Sequence, residues 1–130
     1  MDAYLSLEAY RLIQALSLGF SKSESDGLVL GHKRGHRYFV EKIFPTQEGF
    51  FPSLKRYHDL DEFFEGKILG FFSSRTDEQK LKKILAPFAY RKLVLQINLQ
   101  ESKKIRIKAY TVDFDNEFFL SPVRLKLPKK

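Results

Sequence analysis

Cysteine and tryptophan are absent from this 130-residue sequence, and its one methionine is Met1. Without cysteine there is no disulfide, thiolate zinc site, iron–sulfur cluster or thiol nucleophile. Glycine and proline are sparse, at 7 and 5 residues, and no low-complexity tract or long linker divides the chain. No apolar run approaches the roughly 20 residues of a membrane helix. The N-terminus is acidic and polar, unlike the basic region and apolar core of a secretory signal. A cytoplasmic protein without membrane association is the expectation. The abundant features are 13 Phe and 6 Tyr beside a net charge of +7. Together these suit either nucleic-acid binding or a Phe-rich core under a basic surface.

The length suits one domain over residues 1–130, with Pro128-Lys129-Lys130 as a frayed tail. A short strand at Ala3–Leu7 precedes a helix from Glu8, where Ala9, Leu12, Ile13, Leu16 and Phe20 form one apolar stripe. Gly27–Gly31 and Arg37–Phe44 read as a hairpin joined at Lys33-Arg34-Gly35 and stopped by Pro45. A loop over Thr46–Pro52 leads to a helix capped by Ser53 and ending at Gly66. Lys67–Phe72 is a compact apolar strand, and Thr76 or Asp77 can cap a further helix that ends near Pro87. Leu93–Leu99, Lys103–Tyr110 and Val123–Leu127 complete the strands. This order predicts a single mixed α/β domain, a central and mostly antiparallel sheet flanked by helices.

Catalytic chemistry is hard to place. His32 and His36 flank a turn rather than sharing a helix face, and His58 sits among acids on a helix, so no three or four ligands converge. There is no G-x-S-x-G nucleophile elbow, and Gly27 and Gly31 lack the third glycine of a phosphate loop.

Two strings do carry a resemblance. Glu24-Ser25-Asp26-Gly27-Leu28-Val29-Leu30-Gly31 resembles the E-x-x-G-L-L-x-G segment of JAMM/MPN domains. Ile68-Leu69-Gly70-Phe71-Phe72-Ser73-Ser74-Arg75-Thr76 is similar to that family's strand and His-Ser-His-Pro metal loop. The resemblance implies a JAMM/MPN-like (cytidine-deaminase-like) architecture. In active members a glutamate general base works beside Zn²⁺ held by two histidines and an aspartate. Glu24 matches the base, Ser73 and Arg75 replace the histidines, and Ser74 keeps the intervening serine. A hydroxyl is a poor ligand and a guanidinium has no lone pair for a metal. The expectation is a degenerate, non-catalytic domain with no cofactor and no metal, in which Arg75 pairs with Glu24 in the metal's place.

Lys104, Arg106, Lys108, Arg124 and Lys126 form a basic stripe if their strands are neighbours, suited to an anionic partner. Adjacent phenylalanines at Phe50-Phe51 and Phe71-Phe72 point to opposite sides of extended chain, so one of each pair can mark an interface. A protein-interaction or scaffold role, with a protein partner or a second copy of the chain, is the first reading. A hydrolase with an unrecognised site and a basic nucleic-acid-binding module are the alternatives.

Overall fold

A computed structural model of the protein describes residues 1–17, 26–46, 54–74, 90–99 and 105–128. Seven strands and two helices occur among them: β1 (Asp2–Leu5), α1 (Leu7–Ser17), β2 (Asp26–Arg34), β3 (Arg37–Thr46), α2 (Leu54–Phe63), β4 (Ile68–Ser73), β5 (Leu93–Leu99), β6 (Ile105–Asp115) and β7 (Glu117–Lys126). The strands close into a barrel in the order β1-β3-β2-β4-β5-β6-β7. Most neighbours are antiparallel, but β4 and β5 run parallel, and β1 lies parallel to both β3 and β7.

Alternation along the strands then separates an inside from an outside. Inside, Ala3, Leu5, Val29, Tyr38, Val40, Phe72, Leu93, Leu95, Ile97, Ala109 and Val123 form one cluster, joined by Ala9 and Ile13 of α1. Outside, Leu28, Ile68, Phe71, Val94 and Val112 form a second cluster against which Leu60 of α2 and Phe64, just after it, pack. β5 is therefore covered on both faces, which explains why its sequence is a nearly continuous apolar run. Each fully buried Leu or Ile there contributes roughly 1.5–3 kcal/mol.

Two glycine bulges bend the barrel wall around Leu30. The β2–β3 register passes from Leu30↔Lys42 to Gly31↔Val40, leaving Glu41 as the extra residue. The β2–β4 register passes from Val29↔Gly70 to Leu30↔Ile68, leaving Leu69 as the extra residue. Both neighbours of β2 thus gain a residue at the same level, which increases local twist and curls the sheet. The second bulge also lets Leu69 and Phe72, three apart, join the same interior cluster. A Cβ at Gly31 would collide with the Phe39 carbonyl oxygen, and one at Gly70 with the Leu93 carbonyl oxygen. Only a residue without a side chain permits backbones to approach this closely.

This architecture corrects the expected fold class. The sheet is not an open layer flanked by helices, and the JAMM/MPN-like arrangement does not form. The strings behind that resemblance do become β2 and β4, but as neighbouring antiparallel staves of a barrel. A glycine-bounded apolar strand records burial and close packing, which a barrel and a layered sheet both require.

Several local expectations also shift. The strand expected at Ala3–Leu7 ends at Leu5, because Ser6 caps α1: its Oγ accepts the Ala9 amide at 3.0 Å. The hairpin turn is Gly35-His36, with Gly35 at φ 57. β3 runs through Pro45, which pairs with Gly27. Since β1 covers only Arg37–Val40, β3 has an open side at Pro45, the setting in which a strand tolerates proline. β6 and β7 extend far beyond the stretches expected for them, to a tight turn at Asn116 with φ 66. Phe71 and Phe72 do face opposite sides, yet both are fully buried, so neither marks an interface. Phe50-Phe51 and the helix expected after Thr76 lie outside the described residues.

Replacing Gly70 with alanine should cost about 3 kcal/mol or more, because the colliding atom is backbone. At Gly35, where nothing lies within reach of a Cβ, alanine should cost only about 1–2 kcal/mol of left-handed strain. Urea unfolding of both variants checks the contrast.

Candidate partner-binding face

The outer surface of β2, β3, β1 and β7 is built as two cross-strand rows. Registers Arg34↔Arg37, Asp2↔Arg37 and Asp2↔Arg124 line up Arg34, Arg37, Asp2 and Arg124 near one end of the barrel. One step along, His32↔Phe39, Tyr4↔Phe39 and Tyr4↔Lys126 line up His32, Phe39, Tyr4 and Lys126. These side chains point outward because their neighbours Ala3, Leu5, Tyr38, Val40 and Val123 are committed to the core.

In the second row the rings stack on one another. Tyr4 and Phe39 lie 5.2 Å apart at 11°, and Phe39 and His32 lie 5.0 Å apart at 16°. The separations follow the strand spacing of roughly 4.8 Å, so ring faces meet each other and ring edges point to solvent. Such edges carry the positive end of the ring quadrupole. His32 is further fixed by Glu41, whose Oε1 lies 2.6 Å from Nδ1. Glu41 is the bulged residue of β3, and its carbonyl accepts the Ser6 hydroxyl at 2.8 Å.

In the first row, Arg124 Nε donates to Asp2 Oδ1 at 3.0 Å. Arg34 and Arg37 oppose each other across the hairpin, a like-charge pairing that costs a strand pair stability. Arg34, Arg37 and Lys126 make no ion pair with another described residue. The face is therefore positive, with a hydrophobic ridge whose edges are also positive.

Of the expected basic stripe, Arg106 and Lys108 lie on β6 and Arg124 and Lys126 on β7. β6 and β7 are neighbours, but their pairing ends at Ala109↔Val123. Beyond it, Arg106 and Lys108 are in register with Asn98 and Gln96 of β5, while Arg124 and Lys126 are in register with β1. All four are exposed, and Lys104 lies outside the described residues. Ser73 is fully buried at the end of β4, in register with Asp26 and Gln96, and Ser74 is half-buried beside it. Glu24 and Arg75 lie outside the described residues, and so does their expected pairing. Among the described residues no three His, Asp or Glu side chains gather in a way that could hold a metal ion, and no helix is long and apolar enough to cross a membrane.

Sequence reasoning missed Tyr4, Arg34, Arg37 and Phe39. The period-two spacing of Asp2 with Tyr4 and of Arg37 with Phe39 was the available signal. What it lacked was the parallel pairing of β1 with β3.

No protein-family model matches the chain, and no curated protein matches it either. Among solved structures it is similar to the solution structure of protein DSY2949 from Desulfitobacterium hafniense. The TM-score is 0.67 at 18% identity, over 97% of this chain and 94% of that one. At that identity the likeness speaks for the fold, and it agrees with a small barrel rather than a degenerate JAMM/MPN domain.

If the stacked rings stabilise the face as a ladder, a double-mutant cycle on Tyr4→Ala and Phe39→Ala should give a coupling of about 0.5–1.5 kcal/mol. The exposed Asp2–Arg124 pair should give a coupling of at most about 1 kcal/mol, and less in high salt. Denaturant unfolding at two salt concentrations measures both.

Proposed function

We propose that this chain is a non-catalytic binding domain that docks an acidic segment of a partner protein on the outer face of β2, β3, β1 and β7. The observation that carries the reading is the pair of rows itself: Arg34, Arg37 and Arg124 with one intervening acid, beside the His32–Phe39–Tyr4–Lys126 ridge. An incoming carboxylate relieves the repulsion between Arg34 and Arg37 and accepts bidentate hydrogen bonds from either guanidinium. The ridge adds apolar area at little conformational cost, since its rings are already held by stacking.

Close packing of the described interior residues supports an outer-surface role. Leu93, Leu95, Ile97 and Phe72 are fully buried within the barrel, where a ligand-carrying barrel keeps a cavity. The ring geometry favours protein over single-stranded nucleic acid. Base stacking needs a free aromatic face, and here the faces of Phe39 are both occupied by neighbours. Phosphate contacts alone would be sequence-independent and steeply salt-dependent.

Fluorescence anisotropy with a short poly-glutamate peptide and a single-stranded oligonucleotide of equal charge tests the reading. The peptide should bind, and Arg34→Glu with Arg37→Glu should weaken it by about tenfold or more while folding is retained. Arg106→Glu with Lys108→Glu should change affinity much less. Tighter binding of the oligonucleotide, or equal loss in both double variants, would overturn the assignment of this face to an acidic protein.

A further inference from the structure

A cleft of about 210 Å³ opens at the rim between β2, β4 and β5, lined by His32, Lys33, Tyr38, Ile68, Arg91 and Lys92 among others. No acidic side chain is among its described lining residues. We propose that this cleft binds a phosphate group, carried by free phosphate or by a small phosphate monoester.

Its cations are held rather than merely adjacent. Lys92 Nζ donates to the Ile68 carbonyl at 3.0 Å, which fixes the ammonium while leaving two of its three protons for a ligand. Lys33 Nζ sits 5.1 Å from the centre of the Tyr38 ring, anchored by a cation–π contact. Arg91 adopts φ 64, a left-handed conformation uncommon for an arginine, and its amide donates to the Val112 carbonyl at 2.8 Å. The same arginine lies 5.3 Å over the Tyr90 ring. Costly backbone of this kind is one means by which ligand clamps fix a side chain. Three fixed cations around one opening repel each other, and a compact dianion bridging them removes that repulsion. The volume is several times the roughly 30 Å³ share of a water molecule, room for a phosphoryl group with part of its hydration shell. The inference does not rest on the acidic-partner reading: His32 borders both sites, but the cations used here, Lys33, Arg91 and Lys92, are not in the rows of that face.

Backbone-amide NMR titrations of the full chain with inorganic phosphate, with phosphoserine and with chloride test it. Saturable shifts at Lys33, Arg91 and Lys92 are expected with a phosphate probe and not with chloride. Saturation by phosphoserine alone would identify a monoester site, and equal saturation by both would identify a site for the free ion. Arg91→Gly removes the cation while placing glycine at a φ it adopts readily, so the variant keeps its fold. It should weaken phosphate binding about tenfold, and Lys33→Gln should do likewise. Shifts spread evenly over exposed lysines and arginines, or affinities unchanged in both variants, would overturn the proposal.

Discussion

The structure depends on four residues, Asp2–Leu5, hydrogen-bonded in parallel between β3 and β7. Without β1 the sheet would end in two open edges, each a row of unpaired backbone donors and acceptors. With it the sheet closes, and alternation that would otherwise divide two faces of a layer divides a core from a surface. Ala3 and Leu5 enter the core, while Asp2 and Tyr4 complete the outer rows. The strand is also tied at both ends: the Asp2 amide donates to the His36 carbonyl at 3.0 Å and the Ser6 amide to the Val40 carbonyl at 2.9 Å.

Closure by so short a strand requires the remaining wall to curl, and the bulges on either side of β2 supply that curvature. Their extra residues have separate consequences. Leu69 is added to the core, whereas Glu41 is turned toward His32 and holds the end of the aromatic ridge. The device that bends the barrel is thus also the device that organises its outer face.

Apart from edge-to-face groups such as Phe44–Phe64 and Phe114–Phe118, three arrangements of the aromatics matter here. Tyr38, Phe71 and Phe72 are core residues. Half-buried Tyr4 and Phe39 form a ladder with His32, with Lys126 at one end and Glu41 at the other. Lys33 and Arg91 rest on tyrosine rings at the rim. In the second and third arrangements the rings hold charged or imidazole groups in place, so the charge is ordered rather than merely plentiful.

Much local structure was legible in the residues alone. The stripe of α1, the hairpin of β2 and β3, and the buried runs of β4 and β5 follow from periodicity and turn chemistry, which act between residues close in the chain. The alternation of β6 likewise placed Arg106 and Lys108 on the outside. Tertiary structure alone decided that β1 pairs in parallel with two strands far away in sequence, and that the sheet closes. Gly31 and Gly70 announce close backbone approach without naming the partner, which is why their strings fitted a layered fold as readily as a barrel. The same limit separated the legible cations from the site. Arg37 and Arg124 each alternate outward on their own strand, but only closure puts Asp2 between them and Tyr4 beside Phe39. Side-chain direction is a local property of the backbone, whereas adjacency across a barrel is set by strand register.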